Sequence, residues 1–156
     1  AQQLFPDQLR PYFEKGRFLL IAEQSEKAEF NFRNVLKRHP DHPGTLFYLA
    51  NIMLDKGNFI KAESFALKAI RISPENFLFF DFLGRIYFKA NRYNRAQTNY
   101  KNAILLKPDS WQAHGNLGIL YYFANKFKLA KSHLQKSIEY GNLNSSVFAL
   151  EKLLKN

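Results

Sequence analysis

Residues 83–108 read LGRIYFKANRYNRAQTNYKNAILLKP, and three of their positions recur along the chain at a step of 34 residues. The positions that share this step hold small residues or proline: Ala28, Ala62, Ala96 and Ala130; Pro40, Pro74 and Pro108; Gly84 and Gly118, preceded by Gly16 and Ala50. A fixed period of this length is typical of stacked repeats, in which each unit buries its apolar face against the next. The sequence therefore predicts a repeat protein.

The apolar pattern of each repeat predicts two amphipathic helices joined by a tight turn. Apolar residues recur at spacings of three and four in the second repeat, first at Leu46, Leu49, Ala50 and Met53, and then at Phe59, Ala62, Ala66, Ala69 and Ile70. Gly57 ends the first of these helices. Asn91 and Asn125 replace it in later repeats, because asparagine tolerates the left-handed backbone that such a turn requires. Glu23 stands there in the first repeat, which predicts a looser or differently built turn.

The small residues predict close helix packing. Gly84 and Gly118 would let the two helices of a hairpin approach each other, and Ala62, Ala96 and Ala130 would do the same from the partner helix. We expect the larger rings of Phe32 and Tyr100 to fill the space between neighbouring helices.

The pattern resembles the tetratricopeptide repeat, a helix-turn-helix unit, at Leu83, Gly84, Tyr87, Ala96, Tyr100, Ala103 and Pro108. The resemblance implies an all-α, right-handed superhelical solenoid of four such repeats, at about 9–42, 43–76, 77–110 and 111–144. Residues 145–156 are expected to form a capping helix, with Val147, Leu150, Leu153 and Leu154 facing inward and Glu151, Lys152 and Lys155 facing water. We expect residues 1–156 to form a single domain.

Composition excludes several classes of protein. Of the 156 residues, 46% are hydrophobic and 16% aromatic, which is ample for a folded core. Cysteine is absent, so disulfides and thiolate chemistry are excluded. No apolar run approaches the length of a membrane span. The chain begins at Ala1 without methionine, so we expect it to have been processed or trimmed, and its composition is compatible with both cytoplasm and periplasm.

The resemblance also implies where a ligand binds, since in this family the first helix of each repeat lines a concave groove that holds peptides or helices. Adjacent aromatic residues such as Phe47 and Tyr48 point about 100° apart, so one of each pair is directed towards the groove. The predicted peptide-binding residues are Phe13, Arg17, Phe47, Tyr48, Asn51, Phe82, Arg85, Phe88, Lys89, Asn116, Tyr122 and Phe123. Packing between repeats is the alternative for the rings, and pairing with Glu14, Asp55 or Asp81 is the alternative for the cations.

Other kinds of site are disfavoured. The two-lysine, two-asparagine, one-arginine clamp of chaperone-tail adaptors is absent, because Phe47 and Phe82 occupy positions that would need a lysine and an asparagine. His39 and His42 lie in a proline-fixed turn without a fourth ligand, so no metal site is predicted. The sequence contains no nucleophile elbow, phosphate-binding loop or paired-carboxylate motif, and we expect neither a cofactor nor catalysis.

The sequence therefore predicts a non-enzymatic protein-protein interaction module, an adaptor or assembly scaffold that binds a peptide segment of a partner. One alternative is a self-associating scaffold, with the segment from Gln2 to Pro6 filling the groove of a second copy as a homo-oligomer. The other is polyanion binding by a basic convex face, since the net charge is +10. No specific nucleic acid partner and no transmembrane segment are expected.

Overall fold

The computed structural model describes residues 8–141 and 145–154, and within the last helix it describes the side chains of residues 148–153. This part of the chain is helical throughout, with short turns between helices. The helices are α1 (Arg10–Ile21), α2 (Ser25–Arg38), α3 (Pro43–Asp55), α4 (Phe59–Ile72), α5 (Phe77–Lys89), α6 (Tyr93–Leu106), α7 (Trp111–Phe123), α8 (Phe127–Glu139) and α9 (Ser145–Leu154). The chain divides into two compact units, Ala1–Ser73 and Pro74–Asn156.

The first unit consists of two helical hairpins, α1–α2 and α3–α4. Its core is built from the small and apolar residues of the repeat, including Ala28, Phe32 and Leu49, which are almost completely buried. A Cβ atom added at Gly16 would lie 2.7 Å from the ring of Phe32. Glycine at this position therefore allows α1 to pack directly on that ring.

The second unit repeats the arrangement with α5–α6 and α7–α8, and α9 packs against both α7 and α8. A Cβ atom at Gly84 would lie 2.5 Å from the ring of Tyr100, and one at Gly118 would lie 2.8 Å from Cγ of Leu134. Both contacts join the two helices of one hairpin. The close approach predicted for Gly84 and Gly118 is therefore present, and it explains why each faces a large residue sixteen positions later.

We call the first helix of each hairpin, α1, α3, α5 or α7, a leading helix. Polar side chains cap the N-termini of three of these leading helices. The Nδ1 atom of His42 accepts from the backbone N–H of Thr45, Asn76 accepts from Leu78, and Ser110 accepts from Ala113. These side chains satisfy backbone donors that have no partner within the helix. The starts of α3, α5 and α7, and hence the register of their side chains, are set by these caps.

The turn within each hairpin has one geometry in all four repeats. Glu23, Asn91 and Asn125 have φ angles of 56°, 58° and 56°, and Gly57 has a φ of 70°. The residue after each of them donates to a carbonyl five positions earlier at 2.8 or 2.9 Å, as Gln24 does to Leu19. The prediction of a looser turn at Glu23 is wrong: the hydrogen bonds of this helix end force even a glutamate into the left-handed conformation.

The last helix is amphipathic. Leu150 and Leu153 are half-buried, whereas Phe148, Glu151 and Lys152 are exposed. The inward orientation predicted for Val147 and Leu154, and the exposure predicted for Lys155, lie outside the described side chains. The segment from Gln2 to Pro6 also lies outside the described residues. In the described part of the chain, no helix is long and apolar enough to cross a membrane.

Candidate functional site: the leading-helix surface of the second unit

The surface shared by α5 and α7 holds a buried carboxylate. Asp81, on α5, is 6% exposed. The Nδ2 atom of Asn116, on α7, donates to both carboxylate oxygens of Asp81 at 2.9 and 3.1 Å. The two residues are 35 positions apart, one repeat plus one residue, which brings them to facing positions on consecutive leading helices. This bidentate contact fixes the orientation of the Asn116 amide.

Burial also changes the acidity of this carboxylate. It raises the pKa of Asp81 to about 6, while the hydrogen bond from Asn116 and the positive charge of Arg85 act in the opposite direction. Burial has the larger effect because a carboxylate loses much of its hydration in an apolar surrounding. The floor of this surface is therefore anionic at neutral pH and loses its charge in mildly acidic solution.

Two neighbouring pockets open above the Asp81–Asn116 pair. The first has a volume of about 220 Å³ and is lined by Asp81, Arg85, Trp111, Gln112, Gly115, Asn116 and Ile119. The second has a volume of about 160 Å³ and is lined by Arg85, Phe88, Lys89, Tyr100, Asn116 and Ile119. They share Arg85, Asn116 and Ile119, so together they form one continuous depression with polar and apolar walls. Pockets of this kind are the usual places for a ligand side chain.

The cations at this depression have few protein partners. The guanidinium of Arg85 lies over the ring of Phe82, with 5.4 Å between its Cζ atom and the ring centroid. Neither Arg85 nor Lys89, both exposed, forms a salt bridge with another of the described residues. Both side chains can therefore pair with a carboxylate of a bound molecule without first breaking an ion pair.

In the first unit, the predicted site residues form a ring cluster. The Phe13 ring contacts Tyr48 with 5.7 Å between centroids, and the Tyr48 ring is stacked on Phe32 at 5.2 Å. Phe47 packs against Tyr48 at 5.6 Å. Phe13, Phe47 and Tyr48 are half-buried, so each ring serves the core with one side and leaves the other accessible.

The polar residues predicted in the first unit differ in their surroundings. Arg17 is exposed and its Nη1 atom lies 3.0 Å from Oε2 of Glu14, so it forms the ion pair that was the alternative to ligand binding. Asn51 is half-buried on α3. An exposed pair of this kind contributes little to stability, which leaves Arg17 able to exchange Glu14 for another carboxylate.

One predicted contact residue is part of the core. Phe82 is 2% exposed, so its ring cannot form the groove wall that the sequence predicted. Its neighbour Asp81 is also buried. The reason is that α5 packs against both α6 and α7, so that more than one of its faces is covered. Phe123, in contrast, is 66% exposed.

One polar contact, between α7 and α8, was not predicted from the sequence. The Nδ1 atoms of His114 and His133 lie 2.9 Å apart, and Nε2 of His114 lies 3.0 Å from the carbonyl oxygen of Pro108. Since that carbonyl can only accept, Nε2 of His114 donates, and its Nδ1 accepts from His133. The two residues are 19 positions apart, a spacing that matches facing positions on the helices of one hairpin and could have indicated the pair.

His42, near Pro40, has a structural role. His42 caps α3, as described above, and its Nδ1 atom also lies 2.7 Å from Oγ1 of Thr45. The ring of Phe13 packs against its imidazole with 5.0 Å between centroids. Within the described part of the chain, no three histidine, aspartate or glutamate side chains are grouped so as to hold a metal ion.

Comparison with known proteins identifies the fold. Two family models of the tetratricopeptide repeat match residues 13–77 and 84–122, which together make up well over half of the chain. No curated protein matches the sequence. The chain belongs to the tetratricopeptide repeat family, whose repeats generally act as protein-protein interaction modules and are typically non-enzymatic.

Solved structures share this fold at low sequence identity. A thermophilic tetratricopeptide repeat protein of Thermus thermophilus is 19% identical with a TM-score of 0.83, and the match covers 93% of this chain and 80% of the other. PilF of Pseudomonas aeruginosa is 22% identical with a TM-score of 0.86, covering 94% and 68%. The Sgt2 repeat domain of Aspergillus fumigatus is 21% identical with a TM-score of 0.69, covering 72% and 77%. The predicted all-α fold of helix-turn-helix repeats is therefore confirmed.

Proposed function

We propose that this protein binds a peptide segment of a partner protein on its leading helices, as a non-enzymatic adaptor or assembly scaffold. The observation that carries the proposal is the depression between α5 and α7, where Asn116 is held by Asp81 beneath two adjoining pockets. Because the Asn116 amide is already ordered by Asp81, little conformational entropy of this side chain is lost when a ligand binds to it.

The walls of the depression indicate the chemistry of the segment. Arg85 and Lys89 supply two positive charges on one face of α5, four residues apart. Ile119 and Phe88 provide apolar surface beside them. A segment that combines a carboxylate with an aliphatic or aromatic side chain would pair with the cations and bury its apolar group in the same depression. A backbone or side-chain N–H group of the same segment would donate a hydrogen bond to the carboxylate of Asp81.

The half-buried rings of the first unit supply a second apolar surface. Phe13, Phe47 and Tyr48 are already ordered by their contacts with one another and with Phe32, so a ligand need not immobilise them. We assign Phe82 a supporting role through Arg85, whose guanidinium rests on its ring.

A pair of matched double variants tests the proposal. Arg85→Ala with Ile119→Ala removes one charge and one apolar wall from the depression. Lys101→Ala with Ile104→Ala also removes one positive charge and one isoleucine side chain, but on α6 and outside the residues that line the depression. We expect the first variant to weaken the affinity for the partner by at least about tenfold, the equivalent of about 1.4 kcal/mol, and the second to leave it unchanged.

The measurement is isothermal titration of a partner first captured with the intact chain, with circular dichroism to establish that both variants are folded. Retention of wild-type affinity by the folded Arg85→Ala/Ile119→Ala variant would contradict the assignment of the site. An equal loss in both variants would also contradict it, because the effect would then not be specific to the depression.

A further inference from the structure

Five aromatic rings meet where the hairpins of the second unit turn. They belong to the last two residues of α5 and α7 or to the first residue of α6 and α8: Phe88, Tyr93, Tyr122, Phe123 and Phe127. Their ring centroids form a continuous series, from Tyr93 to Phe88 at 5.7 Å, to Phe123 at 5.8 Å, to Tyr122 at 5.9 Å and to Phe127 at 6.0 Å. We call this surface the aromatic edge.

Three rings of the aromatic edge are open to solvent. Phe123 is 66% exposed, Phe127 is 51% exposed and Tyr93 is 47% exposed. Single exposed rings are common on folded proteins, but neighbouring rings in mutual contact form a continuous apolar patch. The two inner members, Phe88 and Tyr122, are half-buried and hold the exposed rings in place.

Positive charge surrounds the patch. Lys126 and Lys128 flank Phe127 in sequence, Lys89 follows Phe88, and all three lysines are exposed. None of the three forms a salt bridge with another described residue. Asp109 is the only acidic residue in the sequence between positions 82 and 138, and it lies between α6 and α7, at the opposite ends of these helices. The aromatic edge therefore favours an anionic partner.

We propose that the aromatic edge binds the surface of a membrane that contains anionic phospholipids. Exposed rings at the ends of helical hairpins can enter the interfacial layer of a bilayer, where a ring finds apolar surroundings beside polar headgroups. The neighbouring lysines then lie at the level of the lipid phosphates and carboxylates, where anionic lipids attract them. The aromatic edge shares Phe88 and Lys89 with the proposed peptide site, but its other four rings line neither of the two pockets described there.

The packing of the rings favours a lipid surface over a nucleic acid. Bases stack on open ring faces. Along the aromatic edge the interplanar angles between contacting rings lie between 57° and 82°, so the edge of one ring covers the face of its neighbour. The rings are therefore inclined to one another and are not arranged as parallel faces, which suits insertion among lipid headgroups better than the stacking of successive bases.

The test is flotation of the 156-residue chain with vesicles of phosphatidylcholine, with or without phosphatidylserine. We expect binding to the vesicles that contain phosphatidylserine and a decrease in binding with added salt. Lys126→Glu with Lys128→Glu should reduce binding at least tenfold. The matched variant, Lys107→Glu with Lys136→Glu, changes the net charge equally at the other ends of α6 and α8 and should bind like the wild type.

A fluorescence measurement distinguishes insertion from simple charge attraction. In the protein carrying Trp111→Phe and Phe127→Trp, the new indole should show a blue-shifted emission on addition of vesicles with phosphatidylserine. Equal losses in the two charge-reversed variants, an unshifted emission, or binding of a single-stranded oligonucleotide with no binding of vesicles would each overturn the proposal. Failure of the peptide-site variants described above would leave these results unchanged, because Arg85 and Ile119 lie outside the aromatic edge.

Discussion

Glu23 adopts a backbone conformation that costs a non-glycine residue free energy. Its φ of 56° equals that of Asn91 and Asn125 within 2° and is close to that of Gly57. Glycine and asparagine enter this region readily, whereas a glutamate pays roughly 1 kcal/mol for the clash of its Cβ with the backbone. The conformation persists because the 2.8 Å hydrogen bond from Gln24 to Leu19, together with the hairpin contacts, fixes the turn.

Replacement of this residue should therefore stabilise the protein. Glu23→Gly is expected to raise the free energy of unfolding by roughly 0.5–1 kcal/mol, because glycine relieves the strain at a positive φ. Ser64→Gly, at an exposed position within α4, should lower it by about the same amount, because glycine is unfavourable inside a helix. Urea denaturation of the three proteins measures both changes. A decrease in stability for Glu23→Gly would contradict the assigned strain.

At the scale of single residues, the sequence could not predict which of the rings assigned to the groove are buried. Phe47 remains accessible, whereas Phe82 is buried and its guanidinium-bearing neighbour Arg85 covers its ring. Adjacent helical residues differ by about 100° in direction, so a small rotation of the helix exchanges their roles. That rotation is set by the helices packed on either side, which local spacing does not encode.

At the scale of helices, α7 and α8 are joined by the histidine pair. Burial lowers the pKa of His133 to about 4, and the nearby charges of His114, Lys136 and Lys101 act in the same direction. The pKa of His114 is lowered by burial and by Lys136, although its hydrogen bond to Pro108 opposes this. Both rings are therefore neutral at pH 7, and the hydrogen bond between their Nδ1 atoms requires one of them to accept.

This contact should make stability depend on pH. The pKa of His133 is lower in the folded state than its ordinary value of about 6.5. As the pH falls, His133 of the unfolded chain therefore binds a proton before His133 of the folded protein does. The free energy of unfolding consequently decreases between about pH 6.5 and pH 4. The raised pKa of Asp81 acts oppositely within a similar window, because its folded form holds a proton more tightly. The two contributions must therefore be separated by a variant.

We expect His133→Gln to reduce this loss. Between pH 7 and pH 5 the free energy of unfolding of the wild type should fall relative to that of the variant, as measured by urea denaturation at each pH. Gln135→Ala, on the exposed side of α8, introduces no change in titration and should differ from the wild type by the same amount at both pH values. A pH-independent difference for His133→Gln would contradict the lowered pKa.

At the scale of the whole molecule, the family and the helical hairpins could be predicted because they depend on properties that repeat. Gly84 and Gly118 recur at one step, and each is required by a large side chain on the partner helix. The contact between Asp81 and Asn116 occurs once, at facing positions of a single pair of leading helices. Periodicity predicts the surface on which such residues lie, but the contact itself depends on the side chains that happen to meet there.

The depression between α5 and α7 is the proposed peptide site on which the binding function depends. Site-specific photo-crosslinking of the protein in complex with its captured partner tests this most directly, with p-benzoylphenylalanine placed at Gln112, which lines the first pocket, or at Thr98, which is exposed on α6. We expect a crosslink to the partner from position 112 and none from position 98. A crosslink from position 98 alone, with the complex intact in both samples, would contradict it.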